Sequence, residues 1–230
     1  MSSPRRVLLA GATGLVGAQV LDRLLAEPEG PWVLAPVRRP LAIESRRLTP
    51  FVADLADPAQ DAALADRLRA ATPVLDAFIC ALGTTIRRAG NREAFLAVDR
   101  ELVLRLAAIA HGLGARQAIL VSSVGASAQS GNFYLRVKGE TERAISALGF
   151  ERVDLLRPGL LLGDREESRP GESIAKVLTP LTNPLLRGPL QRYRGIAADD
   201  VAAAAVALLD QAGPGRFVHE NAGLLALARA

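Results

Sequence analysis

The chain of 230 residues has one cysteine, Cys80, and two histidines, His111 and His219. A single cysteine excludes an intrachain disulfide framework and is typical of proteins in a reducing compartment. The two histidines have no metal-ligand spacing with Cys80, so the sequence predicts no zinc or other metal site. Cys80 lies in an apolar, strand-like run, which indicates a core residue and not a nucleophile.

Long apolar runs are also absent. No segment approaches the 18 or so uninterrupted apolar residues of a membrane-spanning helix. The N-terminal stretch RRVLLAGATGLVGAQVL resembles a signal peptide at first sight, but Gly11, Gly14 and Gly17 interrupt its apolar core. The sequence therefore predicts a cytoplasmic protein without a membrane partner.

The formal net charge is +4, from 28 basic and 24 acidic residues. Almost all of the basic residues are arginines, since Lys138 and Lys176 are the two lysines of the chain. The arginines are scattered among acidic residues and form no cluster with aromatic residues between them. This distribution predicts no nucleic-acid partner.

Apolar, strand-like runs alternate with helical patterns along the chain, which is typical of a parallel sheet with crossover helices. The predicted sheet is mostly parallel and doubly wound, in one α/β domain over residues 1–230, and the part from about 160 contributes a small lid. The predicted strands cover 5–11, 32–38, 47–54, 74–83, 117–123, 152–159 and 215–220. The predicted helices cover 14–26, 58–70, 91–113, 133–148, 171–186 and 199–210, the last of them capped by an aspartate.

A glycine-rich turn, GATGLVG (11–17), joins the first strand to the first helix. Glycines at this place allow a tight turn and close approach of the backbone to a pyrophosphate, whose charge the helix N-terminus favours. The spacing G-x-x-G-x-x-G in this context predicts a dinucleotide site of the Rossmann type. The alternative is a tight turn without a ligand.

The second strand ends in PVRRP, with Arg38 and Arg39 near the position where an acidic residue would bind the ribose 2′-hydroxyl of NAD. Arginine binds a 2′-phosphate instead, so the pair favours NADP(H) over NAD(H). Two solvated loop arginines are the alternative. Asp54, after the third strand, is predicted to reach the adenine edge, with capping of the helix near 58 as the alternative.

Tyrosine and lysine, two of the rarest residue types here, lie four residues apart in NFYLRVKGETE (132–142). On a helix, Tyr134 and Lys138 would share a face. Ser122 and Ser123 follow the fifth strand, at the sheet edge where ligands bind. A tyrosine hydroxyl beside an ammonium and a nicotinamide cation gives up its proton more readily, and can exchange it with a carbonyl or alcohol during hydride transfer. The alternative is that these groups only cap the helix and contact solvent.

The segments CALGTT, VDRELVL, SSVGASAQSGNFYLRVKGETE and RPGLLLGDREESRPGE resemble the atypical short-chain dehydrogenases/reductases, and among them the Tat-interactive-protein oxidoreductases and their bacterial relatives. The resemblance covers about 5–175, and Phe133 departs from its pattern. It implies that Tyr134 is the proton donor or acceptor and that Ser123 is the catalytic serine, with Ser122 as the second choice. It also implies NADPH contacts at Thr13, Gly14, Leu15, Val16, Arg38, Arg39, Leu82, Gly83, Tyr134, Lys138, Leu161 and Arg169.

The leading interpretation is an NADPH-dependent oxidoreductase that transfers a hydride to or from a small carbonyl or alcohol substrate. One alternative is an NADPH-binding sensor that regulates a protein partner without turnover, although a pure sensor has no need for the Ser/Tyr/Lys set. A second alternative is a sugar-nucleotide epimerase or dehydratase, which would need a larger C-terminal substrate domain. A monomer and a homodimer fit the sequence equally.

Overall fold

The computed structural model describes residues 5–163 and 188–229. The strands in these ranges are β1 (Arg6–Ala10), β2 (Trp32–Val37), β3 (Leu48–Val52), β4 (Ala77–Cys80), β5 (Gln117–Val121), β6 (Arg152–Arg157), β7 (Leu161–Leu162), β8 (Ile196–Ala197) and β9 (Gly215–Glu220). The α-helices are α1 (Leu15–Ala26), α2 (Asp61–Ala71), α3 (Ile86–Ala89), α4 (Arg92–Leu96), α5 (Val103–Gly112), α6 (Phe133–Ser146), α7 (Ala198–Ala207) and α8 (Asn221–Leu227). A π-helical segment, Ala97–Leu102, joins α4 to α5, and 3₁₀ turns lie at Pro58–Gln60, Gly188–Tyr193 and Leu208–Asp210.

Seven strands form one parallel sheet in the order β3-β2-β1-β4-β5-β6-β9. The short strands β7 and β8 pair with each other outside it. The strand order reverses between β1 and β4, which is the topological switch point where open α/β sheets bind ligands. The prediction of a doubly wound, parallel α/β sheet is confirmed, while the predicted helix 171–186 lies outside the described residues.

The sheet separates two apolar layers, and β1 shows how one strand supplies both. Val7 and Leu9 pack on the side of α1, α7 and α8, whereas Leu8 and Ala10 pack on the side of α2, α5 and α6. All four residues are fully buried. Successive side chains of a strand point to opposite faces, so a strand covered on both sides is apolar throughout. This explains why the short run VLLA predicts a central strand.

Two helix predictions differ from the structure. The predicted helix 91–113 is divided by the π-helical segment, whose wider turn leaves no mark in the apolar periodicity. The aspartate cap predicted for the helix at 199–210 was wrong, because α7 begins at Ala198 and has no side-chain cap. Asp199 instead accepts hydrogen bonds from Arg23 of α1, at 3.0 and 2.7 Å.

A buried carboxylate joins the last three strands of the sheet. Asp154 of β6 is fully buried and accepts hydrogen bonds from Arg152 at 2.7 and 2.9 Å and from Gln117 of β5 at 3.0 Å. His219 of β9 places its Nε2 atom 2.9 Å from the same carboxylate. Burial alone would raise the pKa of Asp154, but the hydrogen bonds from these three partners lower it below its ordinary value.

Replacing Asp154 by asparagine is expected to lower the free energy of unfolding by about 3 kcal/mol, because an amide cannot accept all of these donors and leaves Arg152 without a counter-charge. Since the folded-state pKa is lowered, the stabilisation is complete above about pH 4 and is lost as the pH falls further. Urea unfolding at pH 7 and pH 3 measures both effects. Asp66→Asn, which breaks an exposed pair with Arg69, is the control; equal losses in the two variants would contradict the assignment.

Candidate active site

The residues predicted to form the site follow successive strands at the same edge of the sheet. In a parallel sheet, the carboxyl ends of all strands meet at one edge, and ligands bind outside it at the switch point. The glycine turn follows β1, the two arginines follow β2, Asp54 follows β3, Leu82 and Gly83 follow β4, and Ser122 and Ser123 follow β5.

The glycine turn has the geometry of a tight strand-to-helix connection. Gly11 has φ of +87°, a conformation that favours glycine, and accepts a hydrogen bond from the Gly14 N–H at 2.9 Å. A Cβ atom on Gly17 would lie 2.0 Å from the Gly11 carbonyl oxygen, so α1 packs directly against the turn. Gly14 caps α1 with no side-chain hydrogen bond, which leaves the first-turn amides for a ligand. Thr13 is exposed and Leu15 is half-buried at this end, whereas Val16 is buried.

The backbone that follows Leu161 lies close to this turn. The residue belongs to β7, and a Cβ atom on the nearby Gly163 would lie 2.7 Å from the Cδ1 atom of Leu15. The end of β7 therefore borders the N-terminus of α1. Arg169, the other residue that the resemblance implies beyond β6, lies outside the described residues.

The two arginines after β2 are exposed. Among residues 5–163 and 188–229, neither Arg38 nor Arg39 has a hydrogen bond or an ion pair. Their guanidinium groups are therefore available to a ligand from solvent.

Asp54 has a local role in the structure. The side chain is exposed and accepts a hydrogen bond from the Ala56 N–H at 3.0 Å. The 3₁₀ turn at 58 is capped by Asp57, whose carboxylate accepts from the Ala59 N–H at 2.9 Å. The alternative role considered for Asp54, capping this helix, belongs to Asp57.

The two serines after β5 have different surroundings. Ser122 is buried and donates a hydrogen bond to Glu142 Oε1 at 2.6 Å. Glu142 in turn binds Arg157 of β6 at 2.9 and 2.5 Å. Ser123 is half-buried, and its hydroxyl makes one long contact of 3.4 Å with the Val124 carbonyl. The Ser123 hydroxyl is therefore the less engaged of the two.

Tyr134 and Lys138 share one face of α6. The Lys138 Nζ atom lies 6.0 Å from the centroid of the Tyr134 ring, which packs against Phe95 at 5.7 Å between centroids. Asn132 begins the helix by accepting a hydrogen bond from the Leu135 N–H at 3.1 Å. Both residues therefore lie within α6, and their side chains share the helix face that the four-residue spacing predicts.

A glycine lets α6 lie directly against the loop that follows β5. A Cβ atom on Gly139 would lie 2.2 Å from the carbonyl carbon of Ser127, much closer than atoms can approach. The Ser127 N–H also donates to the Leu135 carbonyl at 3.1 Å. The helix that carries Tyr134 and the loop that carries Ser123 are thus packed together.

Two acidic residues of this region were missed by the sequence reasoning. Asp99 is buried, and its Oδ1 atom lies 2.7 Å from Lys138 Nζ. Glu142 lies four residues after Lys138, on the same face of α6, and this spacing is the signal that could have identified it. Asp99 gives a weaker signal, an acidic residue within an otherwise apolar helical stripe.

The end of β4 lies beside the lysine. Cys80 is fully buried, and burial raises the pKa of its thiol to about 12, so the interpretation as a core residue agrees with the structure. Leu82 is half-buried and Gly83 is exposed. A Cβ atom on Gly83 would lie 3.6 Å from Lys138 Nζ, which places this loop over the lysine.

A cavity of about 390 Å³ lies at the opposite edge of the sheet, at the amino ends of the strands. Its charged lining residues include Arg116 and Glu151, which pair with each other at 2.6 Å. Parallel sheets bind ligands at the other edge, so the cavity is not assigned to the site. In the described part of the chain, no His, Cys, Asp or Glu cluster could hold a metal ion. The described helices include none that is both long and apolar enough to cross a membrane.

Comparison with known proteins agrees with this geometry. Residues 11–212 match the NAD(P)H-binding family. The mitochondrial protein FMP52 of Eremothecium gossypii is 35% identical over 228 residues, which cover 96% of each chain. Protein HTATIP2 of Rattus norvegicus is 37% identical over 175 residues, 75% of this chain and 69% of that protein. The predicted resemblance to the Tat-interactive-protein oxidoreductases is confirmed.

The prediction of a cytoplasmic protein was wrong. Several similar proteins, among them FMP52 of Eremothecium gossypii, are named as mitochondrial. The names of these relatives contradict the prediction of a cytoplasmic location.

A solved structure shares the fold. The 3-oxoacyl-[acyl-carrier protein] reductase of Brucella melitensis, in complex with NAD, superimposes with a TM-score of 0.72 over 100% of this chain and 99% of the other, at 16% identity. Likeness at this identity concerns the Rossmann fold alone. The match over 11–212 and the similarity to FMP52 and HTATIP2 establish that the chain belongs to the NAD(P)H-binding family.

Proposed function

We propose that the protein is an NADP(H)-dependent oxidoreductase that acts on a small carbonyl or alcohol substrate. The observation that carries the proposal is the arrangement on α6, where Tyr134 shares a face with a buried lysine and the helix packs against the serine loop after β5. A tyrosine, a lysine and a hydroxyl at the ligand-binding edge form an acid/base set for hydride-transfer chemistry.

The residues at this edge fit a dinucleotide. The uncapped N-terminus of α1 and the close packing of its glycines suit a pyrophosphate, since a helix N-terminus favours negative charge and bare backbone allows close approach. The proposed cofactor contacts are Gly11, Thr13, Gly14, Leu15, Val16, Gly17, Arg38, Arg39, Asp54, Leu82, Gly83, Tyr134, Lys138, Leu161 and Arg169.

The proposed chemistry assigns one task to each polar side chain. A bound nicotinamide would supply the hydride for reduction of the carbonyl and accept it for oxidation of the alcohol. Tyr134 donates its hydroxyl proton to the carbonyl oxygen during reduction and takes the proton back in the reverse direction. The positive charge of Lys138 is proposed to stabilise the negative charge that develops on the Tyr134 oxygen during proton transfer.

Ser123 is proposed to hold the substrate oxygen by donating a hydrogen bond. Ser122 is the weaker candidate, since its hydroxyl already donates to Glu142 at 2.6 Å within a buried contact. Turning Ser122 towards a substrate would leave a buried carboxylate oxygen with one donor fewer, which costs free energy. The Ser123 hydroxyl has no comparable bond to give up.

The NADP(H) preference is proposed on the two arginines after β2. Their side chains are exposed and without partners among the described residues, and the segment PVRRP (36–40) that contains them has no acidic residue. A 2′-phosphate would receive charge-assisted hydrogen bonds there, whereas the free 2′-hydroxyl of NAD would find no carboxylate at the end of β2 to accept its hydrogen bond.

The double variant Arg38→Ala/Arg39→Ala is expected to bind NADPH about 10- to 100-fold more weakly, with NADH affinity nearly unchanged, because only NADPH carries the 2′-phosphate. Calorimetric titration with each cofactor measures the difference. The control is Arg46→Ala/Arg143→Ala, which removes the same charge at two exposed arginines elsewhere. Parallel losses for NADPH and NADH would remove the arginines from 2′-phosphate recognition.

A further inference from the structure

The carboxylate of Asp99 contacts two parts of the site at once. Asp99 lies on the π-helical segment between α4 and α5 and is 1% exposed. Its Oδ1 atom is 2.7 Å from Lys138 Nζ, and its Oδ2 atom accepts a hydrogen bond from the Thr84 N–H at 2.8 Å. One side chain therefore joins the lysine of α6 to the loop after β4.

The backbone of Asp99 is attached to α6 as well. Its carbonyl oxygen accepts a hydrogen bond at 3.1 Å from the hydroxyl of Thr141, which is buried one turn after Lys138. A π-helical turn changes which side chains face inward, and such turns are frequent at functional sites. Here the turn presents a charged residue to the interior, where an unpaired charge would be costly.

The ion pair with Asp99 stabilises the positively charged form of Lys138. The side chain is 8% exposed, and burial alone would lower the pKa of Lys138. The attraction of the Asp99 carboxylate, with smaller contributions from Tyr134 and Cys80, outweighs burial and raises this pKa above its ordinary value. A raised lysine pKa means that the ammonium form persists to higher pH than in water. Two further carboxylates of α6 have cationic partners of their own: Glu142, on the same face as Lys138, pairs with Arg157 at 2.5 Å, and the more exposed Glu140 pairs with Arg100 at 3.6 Å.

We propose that Asp99 is a positioning residue of this site, whose carboxylate keeps the Lys138 ammonium charged and fixes it between Tyr134 and the loop after β4. Asp99 contacts both Lys138 of α6 and the Thr84 N–H of the loop after β4. The ion pair therefore fixes the position of α6, which carries Tyr134, relative to this loop. The role in hydride transfer rests on the proposed function, whereas the charge of the lysine does not.

The lysine content of the chain allows a direct measurement. Lys138 and Lys176 are the two lysines, so protein labelled with ¹³Cε-lysine gives two resonances, and Lys176→Arg leaves the one from Lys138. In this background the Lys138 resonance is expected to show a titration midpoint above about 10.4. Adding Asp99→Asn should bring the midpoint down by at least about two pH units, because burial then acts without its counter-charge. Glu140→Gln, the matched control, should move it by less than about 0.5 pH units.

An unchanged midpoint in the Asp99→Asn protein would overturn the proposal. If that variant does not fold, the Lys176→Arg protein alone tests the proposal. A Lys138 midpoint below about 10.4 would mean that the Asp99 carboxylate does not stabilise the lysine ammonium, and it would overturn the proposal. The measurement needs neither cofactor nor turnover, so it separates the two claims. A low midpoint in Asp99→Asn, combined with no NADPH binding by the wild-type protein, would support the ion pair and contradict the proposed function.

Discussion

Replacing Tyr134 by phenylalanine is expected to lower kcat by about 10²- to 10⁴-fold, which is the range that a positioned proton donor contributes. The substitution removes one hydroxyl and keeps the ring that packs on Phe95, so α6 and the position of Lys138 should be preserved. NADPH affinity should therefore change much less than kcat. The loss belongs to the proton-transfer step, because no other tyrosine shares this helix face with the lysine.

The measurement is NADPH consumption with a carbonyl substrate identified from a panel, together with a calorimetric NADPH titration of the same variant. Tyr193→Phe is the matched control, since it removes the hydroxyl of the second tyrosine, which is 42% exposed and stacks under Arg192. Tyr193→Phe should keep its turnover. A Tyr134→Phe protein with wild-type kcat would assign the proton transfer to another group.

Replacing Gly17 by alanine is expected to weaken NADPH binding by about 100-fold and to lower the free energy of unfolding by about 2 kcal/mol. The new Cβ atom would lie 2.0 Å from the Gly11 carbonyl oxygen and 2.7 Å from its carbonyl carbon. A backbone carbonyl cannot rotate away as a flexible side chain can. The N-terminus of α1 must shift away from the turn, and the proposed pyrophosphate site shifts with it.

Gly112→Ala provides the comparison for this variant, because a Cβ atom at the last residue of α5 meets no heavy atom within 4 Å. Alanine has the higher helix propensity, so the stability of Gly112→Ala should be equal to or slightly above that of the wild type. Calorimetric titration and thermal unfolding of both variants test the assignment. Wild-type NADPH affinity in Gly17→Ala would show that the turn does not hold the cofactor.

The parts of the fold that the sequence predicted are those with local signals. A fully buried parallel strand is apolar at every position, so VLLA and AILV indicate strands without knowledge of their neighbours. The glycines of the turn at 11–17 indicate a tight turn, because glycine adopts backbone conformations and close contacts that other residues cannot. The spacing of Tyr134 and Lys138 is a local signal as well, because four residues correspond to about one helical turn and place both side chains on one face.

The parts that could not be predicted depend on contacts between distant segments. Asp99 meets Lys138 across 39 positions of sequence, and it lies on a π-helical segment that the apolar periodicity does not reveal. The difference between Ser122 and Ser123 likewise depends on Glu142, on another element. Adjacent serines look equivalent in a sequence, whereas in the structure Ser122 is buried against a carboxylate and Ser123 is half-buried with one long contact of 3.4 Å.

The proposed function requires that the protein binds NADPH in preference to NADH and uses it for hydride transfer. The most direct measurement is a pair of calorimetric titrations of the wild-type protein, one with NADPH and one with NADH. We expect NADPH to bind in the micromolar range and NADH at least about tenfold more weakly, because the 2′-phosphate would add charge-assisted contacts. Equal affinities would contradict the NADP(H) preference, and no binding of either cofactor would contradict the proposed oxidoreductase function.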